Sequence, residues 1–201
     1  MIYAIGKHLV RAILHLYFGF SVSGEENVPK DGPILVCGNH QSNWDPPVVG
    51  CAMPRQTGFM AKEELFKNKF IGSLISRLGA FPIKRARSDQ GAIRELLKRF
   101  KEGKSVVVFP QGTRQRPGRP PVKAKPGIIK IAILSGVPIV PAAISANYKF
   151  RGHIRVRFGA PITFSGMDKK ALTNEKLAEI ADGLMDTIYG LCRESEKKDG
   201  A

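Results

Sequence analysis

The chain has 201 residues, of which 43% are hydrophobic, so it can build one packed domain and is not a wholly disordered protein. Thirty-two lysines and arginines stand against 17 acidic residues, and the formal charge of +15 favours an anionic partner. A phospholipid surface, a nucleic acid or a phosphorylated substrate would each fit. Three cysteines without a C-x-x-C spacing argue against a disulfide scaffold or a structural zinc site and indicate a reducing compartment.

Residues 1–20 predict an amphipathic helix. Its basic side chains fall within an arc of about 100°, and its opposite side is apolar. The basic positions are Lys7, His8, Arg11 and His15, and the apolar ones include Ile2, Ile5, Leu9, Ile13, Leu16 and Phe20. Such a helix can lie in a lipid interface, although packing on its own domain is the alternative. The sequence contains no apolar run of about 18 residues, so it does not predict a membrane-spanning helix.

The remaining pattern predicts one domain over residues 21–195, followed by a charged tail over 196–201. Apolar runs and their turn residues predict strands and helices that alternate along the chain. The predicted strands cover 34–37, 58–61, 80–83, 105–109, 138–144 and 154–158; the predicted helices cover 63–78, 89–101, 127–134 and 174–192. A loop rich in proline and basic residues separates two of them at 111–126. This order predicts an α/β fold with a mixed, largely parallel sheet flanked by helices.

A histidine lies just after the first predicted strand, in the run Asn39-His40-Gln41-Ser42-Asn43-Trp44-Asp45. Substrate crevices form at the carboxyl edge of α/β sheets, and this position is such an edge. An imidazole with an unperturbed pKa near 6.5 can take a proton from an alcohol when a carboxylate holds its other nitrogen. Asp45 is the nearest carboxylate, and a turn between the two residues would be needed to pair them.

Each residue of this pair also has a structural interpretation. His40 could be a hydrogen-bonded core histidine. Asp45 precedes two prolines, as an N-cap residue does when proline takes the first helical position. Both roles of Asp45 are compatible with one another.

The run Asn39-His40-x-x-x-x-Asp45-Pro46 resembles the first signature of the glycerolipid acyltransferase family, which includes 1-acylglycerol-3-phosphate acyltransferases. Three later segments resemble the family's other blocks in the same order: 79–85 (GAFPIKR), 109–114 (FPQGTR) and 137–142 (VPIVPA). Together the four blocks extend over about half of the chain. The resemblance implies His40 as general base and Asp45 as the residue that orients it.

The same resemblance implies the residues that bind substrate. These are Lys84 and Arg85 from the second block, with Gln111, Gly112, Thr113 and Arg114 from the third. Position 111 departs from the family pattern, which usually has glutamate there. If that carboxylate orients substrate, activity could be reduced or substrate choice altered; if the side chain mainly makes hydrogen bonds, Gln111 can serve.

The family implies transfer of an acyl group from acyl-CoA or an acyl carrier protein to a lysophosphatidic acid, without a metal or another cofactor. Lysophospholipid, acyl donor and an anionic membrane surface are therefore the expected partners, with peripheral or monotopic association at the cytoplasmic face. Another lysolipid or glycerol 3-phosphate remains possible as acceptor. A weakened lipid-binding relative is a second alternative, and a basic nucleic-acid-binding protein is a third, although that one leaves the histidine motif unexplained.

Overall fold

The computed structural model describes residues 2–83, 90–168 and 172–197. The strands are β1 (Phe20–Ser23), β2 (Leu35–Gly38), β3 (Gly58–Lys62), β4 (Ala80–Ile83), β5 (Val106–Val108), β6 (Ile139–Ala146) and β7 (Ile154–Phe158). The α-helices are α1 (Ile2–Ile13), α2 (Asp45–Ala52), α3 (Glu64–Lys67), α4 (Lys69–Arg77), α5 (Gln90–Lys101), α6 (Gly127–Ser135) and α7 (Asn174–Lys197).

The seven strands form one sheet in the order β1-β7-β6-β2-β5-β3-β4. Every neighbouring pair is parallel except β6 and β7, which are antiparallel. The predicted mixed, largely parallel α/β sheet is therefore confirmed. Because β2 lies between β5 and β6, the segments that follow these three strands emerge side by side at one edge.

Helices cover both faces of the sheet, and alternate residues of the central strands point into two separate cores. Leu35 and Cys37 of β2 pack with α5, α6 and α7, whereas Val36 packs with α1 and α2 on the opposite face. Both faces of β2 are fully buried, as expected for a parallel strand between two helical layers. The apolar run that predicted this strand therefore reflects burial on both sides.

The amino-terminal helix ends earlier than the sequence predicted. After α1 the chain continues through a π-helical turn, Leu14–Phe18, and Gly19 then adopts a left-handed conformation with φ of 73°. Phe20 is consequently a buried residue of β1, not part of the apolar face of the helix. In the described part of the chain, no helix has both the length and the hydropathy needed to cross a bilayer.

Two other predicted boundaries also changed. The predicted helix at 63–78 is two helices, because the Asn68 side chain accepts hydrogen bonds from the first N–H groups of α4 and so starts a new helix. At the other end of the chain, α7 runs to Lys197 and includes the first residues of the predicted tail.

Candidate active site

The candidate site lies where three adjacent parallel strands end. His40 comes two residues after β2, Phe109 follows β5 directly, and Tyr148 comes two residues after β6. Asn39 ties the histidine loop to β6, because its side-chain amide donates to the carbonyl of Ile144 at 2.9 Å and its carbonyl accepts from the Ile144 N–H at 2.8 Å. The sheet thus fixes the position of the backbone that carries the histidine.

His40 and Asp45 form the pair that the motif predicted. His40 Nδ1 lies 2.7 Å from Asp45 Oδ2, and the Asp45 side chain is fully buried while 14% of the His40 side chain is exposed. The turn between them is held by the N–H groups of Gln41 and Ser42, which donate to the same Oδ2 at 2.6 and 2.7 Å. With Nδ1 directed at the carboxylate, Nε2 is left to accept a proton.

The Asp45 carboxylate has a further partner that sequence reasoning missed. The Tyr148 hydroxyl donates to Asp45 Oδ1 at 2.6 Å. Burial, together with the negative charge of Asp45, raises the pKa of Tyr148 far above its ordinary value, so the hydroxyl stays protonated as a donor. A buried carboxylate needs such donors to replace water. The one feature of the sequence that could have indicated Tyr148 as a site residue was its position just after a predicted strand.

Asp45 does not act as the helix N-cap that its prolines suggested. Trp44 occupies the N-cap position of α2, and no side chain caps the helix there. Asp45 is the first helical residue, and its carboxylate points back to the amides of Gln41 and Ser42. The two prolines still fit, because the first turn of a helix does not use their missing N–H groups.

Gln111 supports the histidine loop from the other side. Its carbonyl oxygen accepts from the backbone N–H of His40 at 3.0 Å, and its amide nitrogen donates to the Val122 carbonyl at 3.2 Å and the Tyr189 hydroxyl at 3.1 Å. Only 3% of the residue is exposed. The glutamine thus uses both ends of its amide on protein groups, which is the hydrogen-bonding role that the sequence left open for it.

The rest of the third block places its residues differently. Gly112 has a left-handed backbone with φ of 69°, and a Cβ there would lie 2.9 Å from Lys125 Cε. Thr113 and Arg114 are exposed. Lys84 and Arg85 lie outside the described residues, directly after β4. A substrate contact for these residues stays a prediction.

A pocket of about 410 Å³ opens onto the histidine. It is lined by Asn39, His40, Gln41, Ala146, Tyr148, Tyr189 and the segment from Gln115 to Arg119. Two arginines, Arg116 and Arg119, thus face the same pocket as His40, and sequence reasoning had noted them only as part of a basic loop. The Gln115 N–H donates to the His40 carbonyl at 2.7 Å, which holds this loop against the histidine.

The imidazole is also held by its flat face. The rings of His40 and Phe109 are stacked with centroids 4.3 Å apart and an interplanar angle of 20°. Phe109 and Asp45 together restrict rotation of the imidazole, so Nε2 keeps one direction.

Among residues 2–83, 90–168 and 172–197, no three histidine, cysteine or acidic side chains lie close enough to hold a metal ion.

This fold and site define a class of enzyme in which a histidine, oriented by a buried aspartate, activates a hydroxyl group beside arginines that can hold an anion. The model of the family described as Acyltransferase matches residues 19–145. The chain is 32% identical to the 1-acyl-sn-glycerol-3-phosphate acyltransferase of Bacillus subtilis, with 94% of this chain and 96% of that protein covered. It therefore belongs to the acyltransferase family and is an O-acyltransferase.

Two further relatives agree with this assignment. The 1-acyl-sn-glycerol-3-phosphate acyltransferase of Escherichia coli is 30% identical over 74% of this chain and 69% of its own length. The crystal structure of PlsC, the 1-acyl-sn-glycerophosphate (LPA) acyltransferase from Thermotoga maritima, matches with a TM-score of 0.73 and 27% identity, covering 96% of this chain and 78% of that one. The chain covers 53% of the length of a chloroplastic relative from Arabidopsis thaliana.

Proposed function

We propose that this chain transfers a fatty acyl group from an acyl thioester to the free hydroxyl of 1-acylglycerol 3-phosphate and so forms phosphatidic acid. The observation that carries the proposal is the His40 imidazole, which meets a pocket on one side and the buried Asp45 carboxylate at 2.7 Å on the other. The choice of 1-acylglycerol 3-phosphate as acceptor rests on the names of the relatives. The donor, either acyl-CoA or an acyl carrier protein, is part of the proposal.

In the proposed reaction His40 Nε2 removes the proton of the acceptor hydroxyl, and the hydroxyl oxygen attacks the carbonyl carbon of the thioester. A tetrahedral intermediate forms, and its collapse breaks the carbon–sulfur bond. The leaving thiolate then takes the proton from the imidazolium, which regenerates neutral His40. Asp45 stabilises the imidazolium between these two steps, and a general base of this kind contributes about 10² to 10⁴ in rate.

The phosphate of the acceptor requires cations near the histidine. Arg116 and Arg119 line the same pocket, and arginine binds phosphate oxygens with two parallel hydrogen bonds. We propose these two residues as phosphate ligands, alongside the family-implied Lys84, Arg85 and Arg114. The hydroxyl of the bound acceptor would then lie toward His40 Nε2.

The α1 helix supports binding at a membrane surface. Leu9 is 63% exposed and Ile13 is 49% exposed, and Leu16 in the π-helical turn that follows α1 is 83% exposed, so this apolar stripe faces away from the domain. On the opposite side, the Lys7 ammonium donates to the Met53 carbonyl. A helix whose lysine faces the protein and whose large apolar side chains face outward gains from contact with lipid. We propose peripheral association through α1, on the cytoplasmic face.

The test is acyl transfer from labelled acyl-CoA and acyl carrier protein to lysophosphatidic acid in detergent micelles. Lysophosphatidylcholine and glycerol 3-phosphate serve as competing acceptors. We expect His40→Ala to lower the rate by about 10² to 10⁴. His153→Asn is the matched control, because His153 is an exposed histidine outside the site and asparagine tolerates its φ of 59°. Full activity in His40→Ala would refute the mechanism. Preference for another acceptor would refute the proposal that lysophosphatidic acid is the substrate.

A further inference from the structure

The α4 helix exposes a second group of apolar side chains. Phe70 is 89% exposed, Leu74 is 55% exposed and Ile71 is 47% exposed, and the three share an arc of about 100° on the helix. Gly72 lies on the other side of the helix and is buried, where an added Cβ would come within 2.9 Å of the Phe66 carbonyl oxygen. The side of α4 that carries Gly72 therefore packs against the protein. The opposite side exposes the apolar α4 patch, which consists of Phe70, Ile71 and Leu74.

Cations border this patch. Lys69 and Arg77 are both exposed and, at helical spacing, fall on one flank of it. A shallow concavity of about 430 Å³ is lined by Lys69, Phe70, Ser73, Leu74 and Arg77. The sequence of α4 contains no acidic residue. Apolar side chains beside a row of cations match the two parts of an anionic phospholipid, whose phosphate lies above its hydrocarbon.

The carboxyl-terminal end of α4 contacts the amino-terminal helix. Gly6 of α1 lies against Leu78 at the end of α4, since a Cβ on Gly6 would come within 2.8 Å of Leu78 Cδ2. This places the end of α4 beside the helix whose Leu9 and Ile13 are exposed. Two neighbouring helices thus present apolar side chains to solvent, whereas isolated exposed apolar residues are ordinary on protein surfaces.

We propose that α4 is a second membrane-docking element, in which Phe70 and Leu74 enter the hydrocarbon boundary and Lys69 and Arg77 contact the phosphates of anionic phospholipids. The inference rests on the proposed function, in which the acceptor is a membrane lipid. The +15 charge of the chain favours an anionic surface over a second copy of the same chain as the occupant. The paired helices would fix the orientation of the domain on the bilayer, which α1 alone would leave free to roll.

The first test measures binding of the full chain to vesicles of phosphatidylcholine with phosphatidylglycerol by flotation. Phe70→Ser combined with Leu74→Ser should weaken binding about tenfold or more, since two large apolar side chains no longer enter the lipid. Leu134→Ser is the control, because Leu134 is 46% exposed on α6, in the layer opposite α1. Circular dichroism and gel filtration establish that each variant is folded and whether the parent chain is monomeric.

The second test reverses charge. Lys69→Glu combined with Arg77→Glu should reduce binding to anionic vesicles about tenfold or more and have little effect on the weaker binding to pure phosphatidylcholine. Lys101→Glu combined with Lys130→Glu makes the same change of net charge at exposed positions on α5 and α6. Equal losses in both pairs would mean that net charge alone attracts the protein, and the inference would be wrong.

Activity separates this inference from the proposed function. In the α4 variants, transfer to lysophosphatidic acid presented in vesicles should fall, while transfer in detergent micelles should match the parent chain. Unchanged vesicle binding and vesicle activity in folded variants would overturn the role of α4 and leave the acyltransferase function intact. A dimer that dissociates when Phe70 and Leu74 are replaced would identify a second copy as the occupant and also overturn it.

Discussion

Replacement of Gln111 by glutamate restores the residue usual in the family pattern, yet the structure predicts a loss. In the parent chain the Gln111 amide nitrogen donates to the Val122 carbonyl at 3.2 Å and to the Tyr189 hydroxyl at 3.1 Å. A carboxylate has an oxygen in place of that nitrogen. The Tyr189 hydroxyl can rotate and donate to it, whereas the Val122 carbonyl can only accept and would face a second acceptor.

The size of the effect follows from this mismatch. One hydrogen bond is lost and one carbonyl is left facing a negative charge inside the protein, which together cost about 1–3 kcal/mol. The bond from the His40 N–H to the side-chain oxygen can remain, so the loop is loosened, not released. We therefore expect Gln111→Glu to lower the free energy of unfolding by about 1–3 kcal/mol and to reduce the rate of acyl transfer.

Urea unfolding between pH 5 and pH 8 measures the first effect. A protonated glutamic acid can donate to the Val122 carbonyl, and burial raises the pKa of an acidic side chain introduced at this position. The loss should therefore be small at low pH and grow as the pH rises and the carboxyl ionises. Gln56→Glu adds the same charge at an exposed position and is the control. A Gln111→Glu variant that is as stable as its parent and several times more active would refute this account and return position 111 to direct substrate contact.

Three more predictions concern the site and the fold. Tyr148→Phe should lower kcat about tenfold with little change in KM, because the buried Asp45 carboxylate loses a donor; an unchanged kcat in steady-state assays would exclude this role. Gly24→Ala should lower the melting temperature measurably, because its Cβ would lie within 2.1 Å of the Phe158 carbonyl and φ is 74°; an unchanged value would contradict the packing. Burial raises the pKa of the Cys37 thiol above its usual 9.0, so unfolding above about pH 9 releases a proton and stability falls as pH rises. That decline, about 1.4 kcal/mol per pH unit from this thiol, should be shallower in Cys37→Ala in urea titrations at pH 8.5 and 10, and equal slopes would refute it.

The sequence predicted the pairing of His40 with Asp45 because its geometry is local. Asp45 lies five positions after His40 in the sequence, and the turn between them is closed by amides from the same segment. Tyr148 joins the pair across 103 positions of sequence, and its role depends on β6 lying next to β2. Strand order is set by packing of the whole sheet, which no local pattern encodes, so this contact could not be predicted.

The same distinction explains the errors in the fold. The break between α3 and α4 was locally encoded by Asn68, but the apolar spacing continues across it and hides the cap. The β1 strand was missed because Phe20 continues the apolar spacing of the preceding helix. It becomes a strand residue only through its pairing with Ile154 of β7, more than 130 residues away.

The junction between α1 and β7 has a consequence for where chemistry takes place. Backbone N–H groups of Arg151 and His153 donate to the carbonyls of Tyr17 and Phe18 at 2.8 and 2.7 Å, and Tyr148, from the same connection, reaches Asp45. The π-helical turn after α1 and the Asp45 carboxylate are therefore parts of one short hydrogen-bonded frame. Once α1 rests on a bilayer as proposed, this frame sets the height of the imidazole above the lipid plane, and with it how far a lysolipid must rise from the leaflet to be acylated.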